Sequence, residues 1–528
     1  MQHAGRTRRT AAVLLLVTAG ALNAQTGTIR GTVRSAGSGE PVGEPVISLI
    51  ELRRRTTGDS AGAFVFRDVP AGRWSLEVRR IGYRPDSATV TVDAGRETML
   101  EIRLTEAPVV LAEVGATAPD PHRARFDSVA QVSTQSLGVR DIRSVPALAE
   151  PDLLRVVQLL PGVVTRNDYS VGLNVRGGDA DQNLLLLDGQ VVFNPFHLGG
   201  LVSTFDEHAV RGIEFIAGGF PARYGGRLSS VLDVQGREGS MNGVRGTASL
   251  SLLSSRLHLE GPLPGRLGSW LVAGRRTYAD QVVRAFSSGE FPYYFQDAMA
   301  RVTLPSVLGG VLALSAFGSG DYFDLTLTQA TTGQPRQTFG FDWGNRVVGL
   351  TYHRAVGDRG HLTQRAGASS FFADIAVGPG LFAFTNRVRR LALAGDLELR
   401  RGRHDLAVGY VAERNDITYL AGSGDLDIDV ARFRYRPDAV EGYVDDQWRP
   451  LGWLVVRSGI RATRVPGADF TGLAPRLLVK AFAGRSTAVS AAVGRYYQYV
   501  HSLRNEEIPI SLFEFWIGTD ARVPVSTA

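Results

Sequence analysis

The chain contains no cysteine, so a cysteine nucleophile is excluded. Serine, histidine and acidic side chains are the remaining groups whose spacing we considered for catalysis. Residues 58–62, GDSAG, have the G-x-S-x-G spacing of a serine nucleophile turn, which needs a strand before it and a helix after it. Here an arginine-rich stretch precedes the turn and the strand-like AFVF follows it. No histidine is followed by glutamate three residues later, so a zinc hydrolase motif is absent from the sequence. We therefore expect no catalytic residue, no metal site and no cofactor, and we predict that the protein is not an enzyme.

The N-terminus has the pattern of a secretory signal. A basic segment, MQHAGRTRR, precedes the apolar stretch AAVLLLVTAGA, and Ala24 is a small residue at a cleavage position. We predict that residues 1–24 are a signal peptide, because the apolar stretch is shorter than the roughly twenty residues of a spanning helix. No later segment is as apolar, so any later membrane crossing must use β-strands. The net charge of +6 comes from scattered arginines rather than a basic stripe, so no nucleic-acid partner is expected.

Short alternating segments separated by Gly, Pro and Asp predict a β-sandwich over residues 26–105. A polar stretch at 106–139 is typical of a linker. Residues 140–236 form a compact, glycine-rich block that predicts a small α+β unit. In it, EPDLLRVVQLLPG predicts a helix with Pro151 at its first position, and a short helical piece is expected near Leu201.

From residue 243 to residue 528, segments of about ten residues alternate in polarity. In LALAGDLELR, Leu391 and Leu393 lie on one side, whereas Asp396 and Glu398 lie on the other. About a dozen such segments predict a transmembrane antiparallel β-barrel, with lipid outside and a wet lumen inside. A soluble sandwich with a similar pattern is the alternative for this stretch alone.

Four consecutive leucines stand between two turns in residues 173–190, LNVRGGDADQNLLLLDGQ. A continuous apolar run of this length predicts a strand that is covered on both faces. Wide barrels can hold a plug in the lumen, and such a plug is covered by the barrel wall on one side and by its own helices on the other. We interpret Leu184 to Leu187 as the central strand of a plug.

Segments of the sequence resemble two known families. GAFVFRDVPAGRWSLEVRRIGY resembles the carboxypeptidase regulatory-like domain, a transthyretin-like β-sandwich. PDLLRVVQLLPGV, NVRGGDADQNLLLLDG and IEFIAGGFPARYGGRLSSVLDV, in this order, resemble the plug domain of TonB-dependent outer-membrane receptors. The expected fold class is mainly β: an N-terminal transthyretin-like β-sandwich, an α+β plug domain and a partial, incomplete transmembrane antiparallel β-barrel.

The resemblance implies uptake of a scarce extracellular nutrient (siderophore, cobalamin, oligosaccharide or peptide) by energised rearrangement of the plug. It implies as partners the inner-membrane energy transducer TonB, outer-membrane lipid and a small-molecule or oligomeric substrate, and the sandwich leaves room for a surface lipoprotein. TonB would engage a short box by strand addition. The box candidate comprises Val110, Leu111, Ala112, Glu113, Val114, Gly115, Ala116 and Thr117. It departs from the family pattern at Gly115.

The same resemblance singles out two further groups of residues. The plug motif comprises Arg176, Gly177, Gly178, Asp188, Gly189, Glu214, Gly218, Gly219, Arg223, Tyr224 and Gly225. Of these, Arg176, Glu214 and Arg223 are expected to pair with charges of the barrel wall, because buried charges need partners. An apical loop is expected to face the ligand through Phe193, Asn194, Phe196 and His197.

The sequence also departs from the family. Members typically close a barrel of twenty-two strands, whereas about a dozen are recognised here, and the last residues, RVPVSTA, lack the usual terminal aromatic residue. We therefore expect a truncated gene or a fragment, which alone would not insert stably, since unpaired strand edges in lipid are costly. A surface adhesion or structural barrel protein and a passive porin stay as alternatives, and uptake that depends on the inner-membrane proton gradient would exclude both.

Overall fold

The computed structural model of the protein describes residues 26–52, 54–80, 83–106, 132–145, 150–165, 172–197, 200–286, 292–328, 335–378, 382–423, 428–484, 487–504 and 514–528. The chain divides into two compact units, residues 1–118 and residues 119–528. Within the described ranges, no helix is both long enough and apolar enough to cross a bilayer.

The first unit is a sandwich of two small β-sheets. Its strands are β1 (Thr26–Ser35), β2 (Val46–Leu49), β3 (Arg54–Thr57), β4 (Ala63–Pro70), β5 (Gly72–Arg79), β6 (Asp86–Val92) and β7 (Glu97–Leu104). One sheet has the order β4-β1-β7 and the other has the order β3-β2-β5-β6. Alternating residues such as Ile29, Val33 and Leu76 are fully buried between the sheets, as the period-2 pattern predicts. The GDSAG segment is a turn before β4, where the Asp59 carboxylate accepts hydrogen bonds from the backbone of Ala61 and Ala63, and no helix follows it.

The second unit begins with an α+β block that we call the plug (residues 132–236). Its helices are α1 (Val139–Ser144) and α2 (Leu153–Gln158). Its strands are β8 (Thr134–Gly138), β9 (Val163–Val164), β10 (Asn174–Val175), β11 (Asn183–Leu187), β12 (Gln190–Val191), β13 (Phe196–His197), β14 (Val202–Ser203), β15 (Val210–Ala217) and β16 (Ser230–Gly236). The main sheet has the order β12-β11-β16-β15-β8.

Two local predictions in the plug are wrong. Helix α2 begins after Asp152, whose side chain accepts hydrogen bonds from Leu154 N and Arg155 N, so Pro151 precedes the N-cap and is not the first helical residue. The helical piece expected near Leu201 is instead a turn that leads into β14, which pairs with β13. Gly200 in this turn has φ of +112°, a conformation that an α-helix does not contain.

The leucine strand β11 is covered on both faces, as predicted. It runs parallel to β16 and forms a hairpin with β12. Leu184 and Leu186 belong to a cluster that includes wall aromatics, whereas Leu187 packs with Val157 of α2 and with Leu232 of the sheet. Cover from the wall on one side and from a helix on the other explains why four leucines can follow one another here.

The remaining part of the second unit is a large antiparallel sheet that forms a partial barrel, called the wall below. Its strands are β17 (Arg245–Leu250), β18 (Ser254–Pro262), β19 (Ser269–Thr277), β20 (Tyr293–Val307), β21 (Gly310–Thr328), β22 (Pro335–Val356), β23 (Gly360–Val377), β24 (Phe382–Arg401), β25 (His404–Ser423), β26 (Ile428–Tyr435), β27 (Ala439–Leu451), β28 (Leu454–Val465), β29 (Phe470–Phe482) and β30 (Ala488–Gly494). Neighbours in sequence pair as antiparallel hairpins, except that both β26 and β27 pair with β25. Leu391 and Leu393 are exposed on the outer face while Asp396 faces the lumen, as the alternation predicts.

Two further elements complete the second unit. Helix α3 (Ala279–Phe286) lies between β19 and β20. After β30 come four short strands, β31 (Tyr497–Gln498), β32 (Val500–Arg504), β33 (Glu514–Gly518) and β34 (Ser526–Thr527). Strands β32 and β33 form a hairpin, which contacts the plug through Trp516.

Candidate functional site

The plug is joined to the wall by a buried ionic cluster around His197. In the lumen, the His197 ring lies 2.7 Å from Asp297 Oδ1 of β20 and 2.6 Å from Asp321 Oδ2 of β21, and it stacks on Phe295. The imidazole is fully buried. Burial alone would lower the pKa of His197, but Asp297 and Asp321 outweigh it and raise the pKa to about 9. His197 is therefore a buried imidazolium held by two wall carboxylates at neutral pH.

Arg275 of β19 extends this cluster across the wall. Its Nε donates to Asp297 Oδ2 over 2.7 Å, and its Nη2 donates to the Ser203 carbonyl of the plug over 2.6 Å. Glu150, just before helix α2 of the plug, lies between Arg275 and Arg256 and forms an ion pair with each. Burial would raise the pKa of Glu150, but hydrogen bonds from Ser251 and Ser254 and the charge of Arg256 lower it. The entry of the chain into the plug is thus fixed to strands β18 and β19.

The turn that follows the leucine strand makes a second contact with the wall. Asp188 has φ of +51° and Gly189 has φ of +80°, which suits the tight hairpin between β11 and β12. The Asp188 carboxylate pairs with Arg301 of β20 over 2.5 Å and accepts from Gly236 N over 2.9 Å. A Cβ on Gly189 would lie 2.7 Å from Arg365 of β23, so the glycine also permits close approach of the wall.

On the opposite side of the lumen, two arginines of the wall bind carbonyl groups of the GGFPARYGG segment. Arg461 of β28 forms an ion pair with Glu441 and donates from Nη1 to the Ala222 carbonyl over 2.9 Å. Arg476 of β29 donates to the carbonyls of Phe220, Pro221 and Tyr224. This irregular segment has few backbone partners of its own, and the guanidinium groups satisfy its carbonyls.

A cavity of about 570 Å³ lies between the plug and the wall. Glu214 and Asp233 are directly opposite each other on β15 and β16, and both line this cavity. Burial and the Glu214 charge outweigh the charge of Arg223 and raise the pKa of Asp233 to about 6. Arg223 lies 3.6 Å from Glu398 of β24, on the wall. The cavity is therefore lined by charges of both signs, and it can hold a polar small molecule.

Comparison with known proteins gives two matching family models. The carboxypeptidase regulatory-like domain matches residues 28–105, and the TonB-dependent receptor plug domain matches residues 129–230. The second match identifies residues 129–230 as a plug domain of the TonB-dependent receptor type, and the protein is called the receptor below. Comparison with curated proteins gives no match.

Solved structures of receptors resemble this receptor in fold. The siderophore receptor PirA from Pseudomonas aeruginosa is 17% identical, with a TM-score of 0.53 over 75% of this chain and 70% of that chain. A mutant of the ferric enterobactin receptor PfeA from the same organism is 14% identical, with a TM-score of 0.55 over 77% and 68%. The outer membrane transporter YddB from Escherichia coli is 13% identical, with a TM-score of 0.53 over 69% and 61%. At these identities the likeness establishes the fold alone.

The structure brings some of the predicted site residues of the receptor to the wall and places others elsewhere. Asp188, Arg223 and Gly225 contact the wall, and Glu214 lines the cavity. Arg176 instead binds Ser133 within the plug. The TonB box candidate, residues 110–117, and the signal peptide, residues 1–24, lie outside the described residues.

The four residues of the apical loop are all buried. Phe193 packs against Trp516 at a ring distance of 5.1 Å, and Asn194 accepts a hydrogen bond from the Trp516 indole. Phe196 is 8% exposed and His197 is fully buried. Contact of these four residues with ligand stays a prediction.

Sequence reasoning missed the wall side of the interface. Asp297, Asp321, Arg275, Arg461 and Arg476 stand at inward positions of alternating strands, where any polar residue is expected. Their burial is the signal that distinguishes them from solvated charges, because each is at most 8% exposed. Burial of this kind depends on where the plug lies and is not visible in the strand pattern.

Proposed function

We propose that this receptor imports a scarce extracellular nutrient across the outer membrane, driven by TonB through the box at residues 110–117. The observation that carries the proposal is the plug held inside the wall by buried charges on both sides of the lumen. Removing one partner of a buried ion pair costs about 3–5 kcal/mol. Several such contacts would make spontaneous opening rare, so transport through this lumen needs mechanical work from outside.

The substrate class is proposed from the family and not from the fold. PirA is a siderophore receptor by name, and PfeA is a ferric enterobactin receptor by name. For this receptor the candidates are a siderophore, cobalamin, an oligosaccharide or a peptide. We further propose that the signal peptide is removed on export, that the receptor acts without catalysis, and that a lipoprotein partner can join it at the cell surface.

Energised uptake can be tested in a Gram-negative host that produces the receptor. Cells are given a labelled panel of ferric siderophores, cobalamin, oligosaccharides and peptides, with and without a protonophore. The variant Val114→Pro removes a backbone donor from the proposed box, and Ala124→Pro, in the linker beyond it, is the matched control.

We expect the cells to accumulate one member of the panel. The protonophore and Val114→Pro should abolish this accumulation while surface binding persists, and Ala124→Pro should leave the accumulation intact. Accumulation that is the same with and without the protonophore would indicate a passive porin and contradict the proposal. Surface binding with no accumulation in any condition would favour an adhesion protein.

A further inference from the structure

Arg227 differs from the other arginines around the lumen cavity. Its side chain is 6% exposed and belongs to the plug. Its Nη1 donates to the Gly226 carbonyl over 2.8 Å, and its guanidinium carbon lies 5.5 Å from the Trp516 ring. Its Nε is buried without a hydrogen-bond partner. In the part of the chain that the structure describes, no carboxylate lies within ion-pair distance of it.

Arginines of the cavity other than Arg227 have a carboxylate partner, except Arg211, which is exposed and donates to the Gln235 side chain. Arg301 pairs with Asp188, Arg390 pairs with Glu413 and Arg461 pairs with Glu441. A buried guanidinium without such a partner carries a desolvation cost of several kcal/mol, since its charge has lost water and gained no counter-ion. Burial accordingly lowers the pKa of Arg227, which the more distant Asp181 and Glu413 oppose.

Arg227 lines the cavity of about 570 Å³, a volume in the range of small-molecule sites. An arginine fork matches the two oxygens of a carboxylate, and the low local dielectric strengthens such a pair. We infer that this cavity is a binding site for a small monocarboxylate, whose carboxylate group pairs with Arg227. The inference goes beyond uptake, because it concerns a site between plug and wall that can be occupied without transport.

The surrounding charges favour a single carboxylate over a polyanion. Glu413 lines the same cavity and acts on Arg227 electrostatically, and Glu214 and Asp233 line it as well. A phosphate dianion would add repulsion from these groups, whereas one carboxylate is balanced by Arg227 alone. Leu184 and Leu186 give the cavity an apolar side that can cover the body of the ligand.

The test uses the purified receptor in lipid nanodiscs and hippurate as the probe. Binding is followed by calorimetry and by tryptophan fluorescence, because the Trp516 ring lies 5.5 Å from the Arg227 guanidinium carbon. The neutral amide of hippurate and inorganic phosphate are the comparison ligands. Arg227→Met removes the charge at similar volume, and Arg140→Met removes an exposed charge from helix α1 of the same plug as the matched control.

We expect hippurate to bind at least tenfold more tightly than its amide or phosphate, a difference of about 1.4 kcal/mol. Arg227→Met should weaken hippurate at least tenfold, whereas Arg140→Met should leave it unchanged. Equal binding of hippurate and its amide, tighter binding of phosphate, or no effect of a folded Arg227→Met would each overturn the inference. The amide comparison needs only the unmodified receptor, so it decides the matter even where Arg227→Met fails to fold. Failure here leaves the protonophore test of uptake unaffected.

Discussion

Replacement of His197 by glutamine should weaken the attachment of the plug to strands β20 and β21. Glutamine keeps a polar side chain but has no charge, so Asp321 would lose the cation that lies 2.6 Å from it, and Asp297 would keep Arg275 alone. Like charges left uncompensated in a buried site repel strongly. The plug should then open at lower denaturant concentration than in the unmodified receptor.

The magnitude follows from the raised pKa of His197. In the folded receptor this pKa is about 9, against an ordinary value of 6.5. Each pH unit of that difference corresponds to about 1.4 kcal/mol, so the protonated histidine stabilises the plug by about 3 kcal/mol. Because the folded pKa lies above the unfolded pKa, this stabilisation is fully present below pH 6.5 and is lost as the pH rises through 9.

The assay exploits the absence of cysteine from the sequence. Ala209 is 1% exposed inside the plug, so Ala209→Cys provides a thiol that a water-soluble reagent reaches only when the plug opens. The urea midpoint for labelling is measured from pH 6.5 to pH 9.5 in this background, with and without His197→Gln. Comparing the two variants at each pH cancels the pH dependence of the reagent itself.

We expect the midpoint with His197 to fall steadily over this range and the midpoint with His197→Gln to start low and stay flat. A flat profile in both variants would show that His197 does not hold the plug as an imidazolium. Parallel falling profiles would assign the pH dependence to another group, and the reasoning from the two carboxylates would be refuted.

Three further substitutions test other contacts of the interface. Asp188→Asn should lower the urea midpoint by the equivalent of about 1–3 kcal/mol, because Arg301 loses its charged partner; unchanged labelling of the Ala209→Cys thiol would contradict this. Arg461→Met should cost about 3–5 kcal/mol by leaving Glu441 buried and unpaired, and the double variant with Glu441→Leu should recover most of the loss in the same assay. Gly225→Ala should destabilise the plug although alanine is small, because its Cβ would lie 2.3 Å from Arg461 Nε, and heat-modified mobility on a gel should show less folded receptor.

Much of the fold could be predicted because it depends on local patterns. The alternation in the C-terminal half reports which side of each strand meets lipid, since Leu391 and Asp396 differ in polarity for that reason. The four leucines of β11 require cover on both faces, and the structure supplies it from the wall and from α2. Local turn chemistry was also visible at Asp188-Gly189.

The site was harder to predict because its partners are far apart in sequence. His197 lies 100 residues before Asp297 and 124 before Asp321, and nothing in either stretch reports the register that brings them together. A histidine in a glycine-rich loop therefore suggested contact with ligand, whereas the structure buries it. Arg227 was equally unremarkable, because only the arrangement of the plug in the lumen shows that it lacks a counter-ion.

The contacts that hold the plug in the lumen differ in their chemistry. This difference determines which contact responds to pH. Near β19 to β21 the contact includes an imidazolium, which loses its charge within an accessible pH range. Near β28 and β29 the contact consists of Arg461 and Arg476 on backbone carbonyls, and a guanidinium keeps its charge at any pH that the receptor meets. Alkaline conditions therefore remove one charged contact near β20 and β21, whereas the contacts of Arg275 and Arg301 with the plug keep their charge.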